Sequence, residues 1–592
     1  METFLHPSFV FLLAAALAAV LPKGPRKIAM LVLPLAAFAM IEALALRTPD
    51  QPASPWTLQW LGFTLVPVYV DRLTVAFLHV FTLMAFIGAV YGLHVEDRWQ
   101  HVAAALYVAG SLGVTLAGDY LTLFVFWELM AVASTFLVWL RRRPESTAAG
   151  YRYLLVHVAG GLILMAGIFL RYGATGSLAV GRILPEHADL AAYLILIGFA
   201  LNAAVPPIHA WLPDAYPEST VMGGAFMCAF TTKTAVYALA RVFPGYEVLM
   251  IGGAIMTLYG VGYAIIENSG RKILSYHIVS QVGYMVCGVG VGTAMAINGA
   301  VAHAYAHILY KALLFMGVGS VVEMVGHDRL SDLGGLYKRM PLAMLGTVIG
   351  GISISGFPFT SGFISKSMIV AGAGGAGHLV IMLMLLLASV GTFLSVGIKL
   401  PYFIWFGEDS GVPAKDPPWN MVAGMGLAAF FCFFLGLYPH YLYRLLPFTD
   451  TVYHPYTAYH FSETIQLLGF TGLGFYVLRK KLSPEAKTNL DVDWFYRKGA
   501  VHFLRFARGP VSSINDWVGE AYRTVGMAFA LATAKFWSAF DVIAIDGAVD
   551  GLAYGVRHVG DKVRHTQTGK LQQYVAVAVL AFFGVLALVI SY

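Results

Sequence analysis

The run LTLFVFWELMAVASTFLVWL (residues 121–140) decides the fold class, because one charged side chain, Glu128, interrupts an otherwise uncharged and mainly apolar stretch. Twenty helical residues rise roughly 30 Å, the thickness of a bilayer's hydrocarbon core. Runs of this kind recur along almost all of the 592 residues; 58% of the chain is hydrophobic and only 12% charged. Mean hydropathy is +0.72. A soluble globular chain carries about twice that charge fraction. The composition implies an all-α polytopic membrane protein and argues against an ordinary cytosolic enzyme.

Candidate spans are 6–22, 27–46, 73–93, 102–118, 120–140, 151–171, 189–212, 219–242, 246–266, 274–294, 298–322, 341–371, 378–406, 419–440, 464–478 and 572–591, about sixteen in all. The start lacks a basic region before its apolar core and reads as a first membrane helix, in preference to a cleaved signal peptide. Residues 55–70 carry Pro and alternating polar positions, the pattern of a short extracytoplasmic hairpin. Basic clusters follow the first, fifth, ninth, eleventh and fifteenth spans: Lys23 to Lys27, Arg141 to Arg143, Arg271 and Lys272, Arg329 to Arg339, and Arg479 to Lys481. All five spans are odd-numbered, which predicts an outside amino terminus and cytoplasmic positions for those loops.

The expected organisation is N-terminal helices with the hairpin (1–95), a first repeat (96–245), a second repeat (246–410), C-terminal core helices (411–478), an amphipathic lateral segment (479–571) and a final anchor (572–592). Residues 480–570 mix aromatics with charges every few positions. They read as an amphipathic helix at the membrane interface, with a further re-entrant or spanning piece in 524–556 left open.

Other classes find little support. Cys228, Cys287 and Cys432 are isolated in apolar stretches, so no cluster, zinc or disulfide framework is available. The net charge of +6 sits at span ends and reports topology, with no sign of nucleic-acid binding. No nucleotide loop or flavin motif is present. No cofactor is expected in this chain, and any redox chemistry must reside in partner chains.

Ionisable groups inside hydrocarbon are costly and are functional candidates by default. A carboxylic acid there holds its proton and a neighbouring ammonium releases it, so Glu128 can exchange a proton as a partner moves. Lys233 lies mid-run in AFMCAFTTKTAVYALARVF, and Lys399 lies nearer a span end in FLSVGIKLPYFIWFG. The most informative spacing is AVAHAYAHILYKALLFM, where His303, His307 and Lys311 fall at i, i+4 and i+8 on one helical face. The two histidines could chelate a metal, but no carboxylate or cysteine lies nearby in sequence, and a proton relay is the better reading.

Two spans are interrupted. Pro206 and Pro207 follow Asn202 in GFALNAAVPPIHAWLPDAYPEST, and Gly356, Pro358 and Gly362 precede Lys366 in GGISISGFPFTSGFISKSMIV. Proline removes a backbone donor, and unwound backbone at membrane depth belongs beside a cavity. Interrupted helices in corresponding places suggest an inverted repeat. Spans 4–8 offer His157, Asn202 and Lys233 in order; spans 9–13 offer His303 and His307, then Lys366, then Lys399.

With WELM at Glu128, PPIHAWLPDAYPE, TTKTAVYALAR, RKILSYHIVSQVGYMV, HAYAHILYKALLFMGVGSV and SGFISKSMI in this order, residues 70–440 resemble the antiporter-like subunits of respiratory complex I, membrane-bound hydrogenases and Mrp-type cation/proton antiporters. LDVDWFYRKG at 490–499 looks like the tail of the D-type proteins of Mrp antiporters. QTGKLQQY is similar to the end of the largest antiporter-like subunit of complex I, which carries a lateral helix. The resemblance implies two inverted five-helix repeats and a buried polar axis, here Glu128, Lys233, His303, His307, Lys311 and Lys366. It also implies proton translocation, possible Na+ exchange, partner membrane subunits and a bacterial or archaeal cytoplasmic membrane. Where the family usually has a lysine before the first break, this chain has Asn202, so either Lys233 serves Glu128 or the first half conducts differently or not at all. The alternative function is a structural or coupling subunit with a silent channel.

Overall fold

Acidic side chains start several of the helices. Asp71 accepts from Thr74 N at 2.9 Å, Asp119 from Thr122 N at 2.8 Å, and Asp189 from Ala192 N at 2.8 Å. Each satisfies an orphan amide where the helical ladder has not yet begun. The computed structural model of the protein describes residues 5–46, 53–487, 489–544, 550–564 and 569–591. Residues 545–549 of the amphipathic stretch and the first two residues of QTGKLQQY lie outside this set. The chain divides into two units, Met1–Asp493 and Trp494–Tyr592.

In the first unit α1 (Pro7–Val20) and α2 (Lys23–Ala45) precede an antiparallel hairpin of β1 (Ala53–Trp60) and β2 (Phe63–Val70), with Leu58 opposite Leu65. Then come α3 (Arg72–Tyr91), α4 (Arg98–Leu116), α5 (Tyr120–Trp139), α6 (Pro144–Thr175) and α7 (Leu190–Asn202). Three short helices follow, α8 (Trp211–Ala215), α9 (Val221–Met227) and α10 (Thr231–Val242). Long helices return with α11 (Glu247–Ile266), α12 (Gly270–Val291) and α13 (Ala294–Val325). The unit closes with α14 (Pro341–Ile354), α15 (Ser361–Gly375), α16 (Leu379–Thr392), α17 (Trp419–Leu437), α18 (Pro439–Tyr443) and α19 (Ala458–Leu478). Wider, five-residue turns carry α16 onward from Phe393 through Lys399.

Ten helices among the described residues are long and apolar enough to cross a membrane, and α1, α7 and α14 are shorter apolar helices. α12 and α13 lie at the centre, and the polar side chains of α12, Ser275, His277, Ser280 and Gln281, are fully buried. The outer helices instead leave leucines and phenylalanines exposed, as lipid-facing surfaces do.

Both interruptions use the same backbone device. After α7, Ala204 is left-handed (φ 58°) and Val205 N donates to Ala200 O at 3.1 Å. After α14, Gly356 is left-handed (φ 75°) and Phe357 N donates to Ile352 O at 3.1 Å. A left-handed residue followed by this long return bond is a Schellman ending. In each case the next residue, Pro206 or Pro358, cannot continue the helix. Gly362 then has no room for a side chain, since a Cβ there would lie 1.8 Å from Ser353 O.

The second unit holds α20 (Asp493–Phe506), α21 (Ser512–Ala521) and α22 (Met527–Ala544), joined by wider turns, then α23 (Asp550–Arg564) and the apolar α24 (Leu571–Ile590).

Candidate functional site

The buried amines find helix ends in place of carboxylates. Lys233 Nζ, on α10, donates to Cys228 O at 2.6 Å, just past the end of α9, and to Thr232 Oγ1 at 3.1 Å. Lys366 Nζ, on α15, donates to Ile354 O, the last residue of α14, at 2.9 Å. It also lies 5.2 Å above the ring centre of Tyr284. Lys399 Nζ donates to Ile265 O at 2.5 Å and Glu267 O at 3.0 Å, where α11 ends. The last carbonyls of a helix have no intrahelical donor and carry the negative end of its dipole. Each therefore steadies a positive charge without fixing it as a carboxylate would. Among the described residues none of Lys233, Lys311, Lys366 or Lys399 forms an ion pair with a carboxylate, unlike Lys272, which pairs with Glu267 at 3.0 Å.

An imidazole row, His303 and His307, is buried on α13. His303 Nε2–H donates to Gln281 Oε1 at 3.2 Å, and its Nδ1 lies 3.2 Å from Ser365 Oγ. The rings of His303 and His307 are 6.2 Å apart, and Tyr310 packs edge-on to His307 at 5.2 Å. Both ring nitrogens of His307 are buried without a hydrogen-bond partner. Lys311 Nζ reaches only Leu274 O, at 3.4 Å.

Glu128 stands apart. It is part-buried on α5, its Oε1 has no partner, and it rests against Gly161 of α6, where a Cβ would lie 2.0 Å from Oε1. Among the described residues it makes no ion pair with Lys233. Asn202 is fully buried and accepts from His157 Nδ1–H at 3.0 Å through Oδ1.

Lys366 and Lys399 lie at different heights along α16 and its continuation: Lys366 Nζ is 3.5 Å from Ser389 Oγ, and Lys399 lies beyond Thr392, the last residue of α16. A cavity of about 310 Å³ reaches Lys366 between α15, α16 and the start of α19, with Tyr453, His460 and Glu463 on its far wall. Ser389 lines that cavity, and Lys399 lies ten residues further along, roughly 15 Å at the helical rise.

Sequence reasoning missed the polar neighbours on α12. His277 Nε2–H donates to Ser395 Oγ at 2.6 Å, the serine hydroxyl being committed to Gly391 O. Gln281 bridges His303 and Thr392. Both lie in RKILSYHIVSQVGYMV at i and i+4, a spacing that already marks one buried polar face. Among the described residues no group of three or more His, Cys, Asp or Glu is arranged to hold a metal ion.

Comparison with known proteins adds four findings. Residues 117–394 match the family described as NADH:quinone oxidoreductase/Mrp antiporter, TM. The chain is 33% identical over 407 residues to the N subunit of the NADH-quinone oxidoreductase of Desulforudis audaxviator (strain MP104C), covering 64% of this chain and 78% of that protein. It is 31% identical over 319 residues to the D subunit of the Na(+)/H(+) antiporter of Alkalihalophilus pseudofirmus, covering 51% of this chain and 64% of that one. In fold it is similar to a chain of the Mrp complex from Dietzia sp. DQ12-45-1b, with a TM-score of 0.68 and 24% identity, over 79% of this chain and 98% of that chain.

Proposed function

Because the chain belongs to the membrane-subunit family shared by NADH:quinone oxidoreductases and Mrp antiporters, we propose that it carries protons across a bacterial or archaeal cytoplasmic membrane as one subunit of a multisubunit antiporter or redox-driven pump. The observation that carries this reading is the buried polar row: His303 and His307 stand one turn apart on α13, His303 meets Ser365 beside Lys366, and Lys233 and Lys366 are held by helix-end carbonyls. An amine in such a site is poised between charged and neutral forms, because burial opposes the charge while the dipole supports it. Protons move along the imidazoles, and arrival of charge at His307 displaces charge at Lys233 or Lys366. Coulombic coupling of this kind is strong only where water is scarce.

The two Schellman endings, each followed by proline, support an inverted pair of five-helix repeats, and the shorter apolar helices bring the spans towards the sixteen read from sequence. The basic loops favour an outside amino terminus and a cytoplasmic side for Lys399. The named activity of the similar Na(+)/H(+) antiporter protein extends the reading to Na+ exchange. Redox chemistry, where the complex has any, belongs to partner subunits.

The test is proton uptake by vesicles holding the purified complex, followed with a pH-sensitive dye. Glu128→Gln and Lys366→Ala abolish uptake with assembly intact; unchanged uptake in both overturns the proposal. A second reading, a coupling subunit whose first half is silent, draws on the neutral His157–Asn202 pair.

A further inference from the structure

His209, in the first interruption, and the LDVDWFYRKG stretch have no part in the row, yet they meet. Asp491 comes from the connection after α19 and is only 7% exposed. Its Oδ2 accepts from the Tyr276 hydroxyl at 2.6 Å and its Oδ1 from the Tyr259 hydroxyl. Next to it, Tyr263 donates to Leu490 O at 3.0 Å and Asn489 Nδ2 to Ile266 O at 3.3 Å. The segment is thus held at the end of α11 where Lys399 also lies. His209 is fully buried, its ring packs edge-on to Tyr259 at 4.6 Å, and its Nε2 lies 3.4 Å from Asp491 Oδ1. Neither ring nitrogen has a hydrogen-bond partner.

An anchor for the segment would need only the tyrosine hydroxyls. A buried imidazole facing a carboxylate goes beyond that, because such a pair is stable when the ring carries a second proton. Charged groups near this end are engaged elsewhere: Glu267 with Lys272 at 3.0 Å, Lys399 with the carbonyls of α11, Asp214 with Arg152 at 2.6 Å, and Lys487 with Glu485 at 2.8 Å.

We propose that Asp491 is a positioning carboxylate for proton uptake by the first half, holding an imidazolium at His209 in the interruption where Asn202 supplies no charge. Burial works against charge on Asp491, but the facing His209 ring and the hydrogen bonds from Tyr259 and Tyr276 outweigh it and keep the carboxyl well below the usual carboxylate range. It is an anion at neutral pH. His209 then keeps Nε2–H towards Asp491 while Nδ1 gains one proton from water reaching the interruption; passing that proton inward returns the neutral ring. The C-terminal segment, 279 residues beyond the interruption's Leu212, thereby completes a site that the first repeat leaves without a carboxylate.

This inference rests on the proton-carrier reading, and one set of vesicles separates the two. In Asp491→Asn the amide still meets the tyrosine hydroxyls, so the complex assembles. The pH profile of uptake shifts to the acid side by about 1–3 units, the effect of an opposite charge at this range. Asp491→Glu restores the original profile. An unshifted profile in Asp491→Asn, with Asp491→Leu losing assembly, makes the carboxylate an anchor only and overturns the inference. Should Asp491→Asn fail to assemble, His209→Phe reads the same step: loss of uptake supports the inference and an unaltered profile overturns it. Glu128→Gln and Lys366→Ala serve as controls. If they are inactive while Asp491→Asn behaves as the parent, only this inference falls; if they transport normally, the proton-carrier reading falls.

Discussion

Lys366 Nζ donates to the carbonyl oxygen of Ile354 at 2.9 Å, so an amine on one part of the second broken helix closes the open end of the other. Lys233 at Cys228 and Lys399 at Ile265 repeat the arrangement on unrelated helices. A dipole end stabilises a cation by roughly 0.3–1 kcal/mol at exposed sites and up to ~2 kcal/mol where partly buried, less than a buried carboxylate would. Such a hold suits an amine that must give its proton away.

Lys366→Arg tests this directly. The guanidinium can keep the bond to Ile354 O but does not deprotonate. We expect assembly to persist and uptake in vesicles to fall to background, as in Lys366→Ala. Retained uptake in the arginine variant would show that Lys366 only steadies the broken helix.

Gly161→Ala should disable Glu128 without touching it. The new Cβ would lie 2.0 Å from Oε1, and the flexible carboxyl end moves more cheaply than the helix. Displacing a reacting group by about 1 Å costs roughly 10–100-fold in rate. Gly173→Ala, on the same helix with nothing within 4 Å of its Cβ, is the matched control and should transport normally. Equal activities in the two variants would remove Glu128 from the pathway.

Asn202→Lys asks whether the first half lacks only a charge. His157, which holds Asn202, and Gly161, which touches Glu128, lie one turn apart on α6. A lysine at 202 can therefore extend towards the Glu128 carboxyl. We expect a faster rate of uptake in vesicles, and an unchanged rate would mark this half as silent or charged by another group.

Asp71 predicts an acid sensitivity of the fold. Burial opposes its charge, but Arg241, bonded to Oδ1 at 2.8 Å, and the amide of Thr74 outweigh this and lower its pKa. The folded carboxylate thus binds its proton less tightly than the unfolded one, whose value is about 3.9. Its contribution to stability is complete above that value and is lost as pH falls through the lower, folded value. Thermal unfolding in detergent should show Asp71→Asn less stable than the parent at neutral pH, with the gap closing in acid. A gap that does not change with pH would refute the assignment.

Much of the site was legible because charge in hydrocarbon stands out in any sequence. Glu128, Lys233 and the His303, His307, Lys311 spacing needed only helical periodicity, and Pro206 and Pro358 marked both interruptions. The partners were not legible. Glu128 and Lys233 suggested a couple, yet Lys233 turns to Cys228 O and Glu128 to Gly161.

Composition and periodicity by themselves determined a membrane-embedded helical chain, its broken helices and its titratable groups, since each follows from the cost of placing polar atoms in lipid. Tertiary structure alone decided what each group faces. A helix-end carbonyl has no side-chain letter to announce it, and Tyr276 meets Asp491 across 215 residues of chain. Such pairings arise only when packing brings distant backbone and side chains into one dry space.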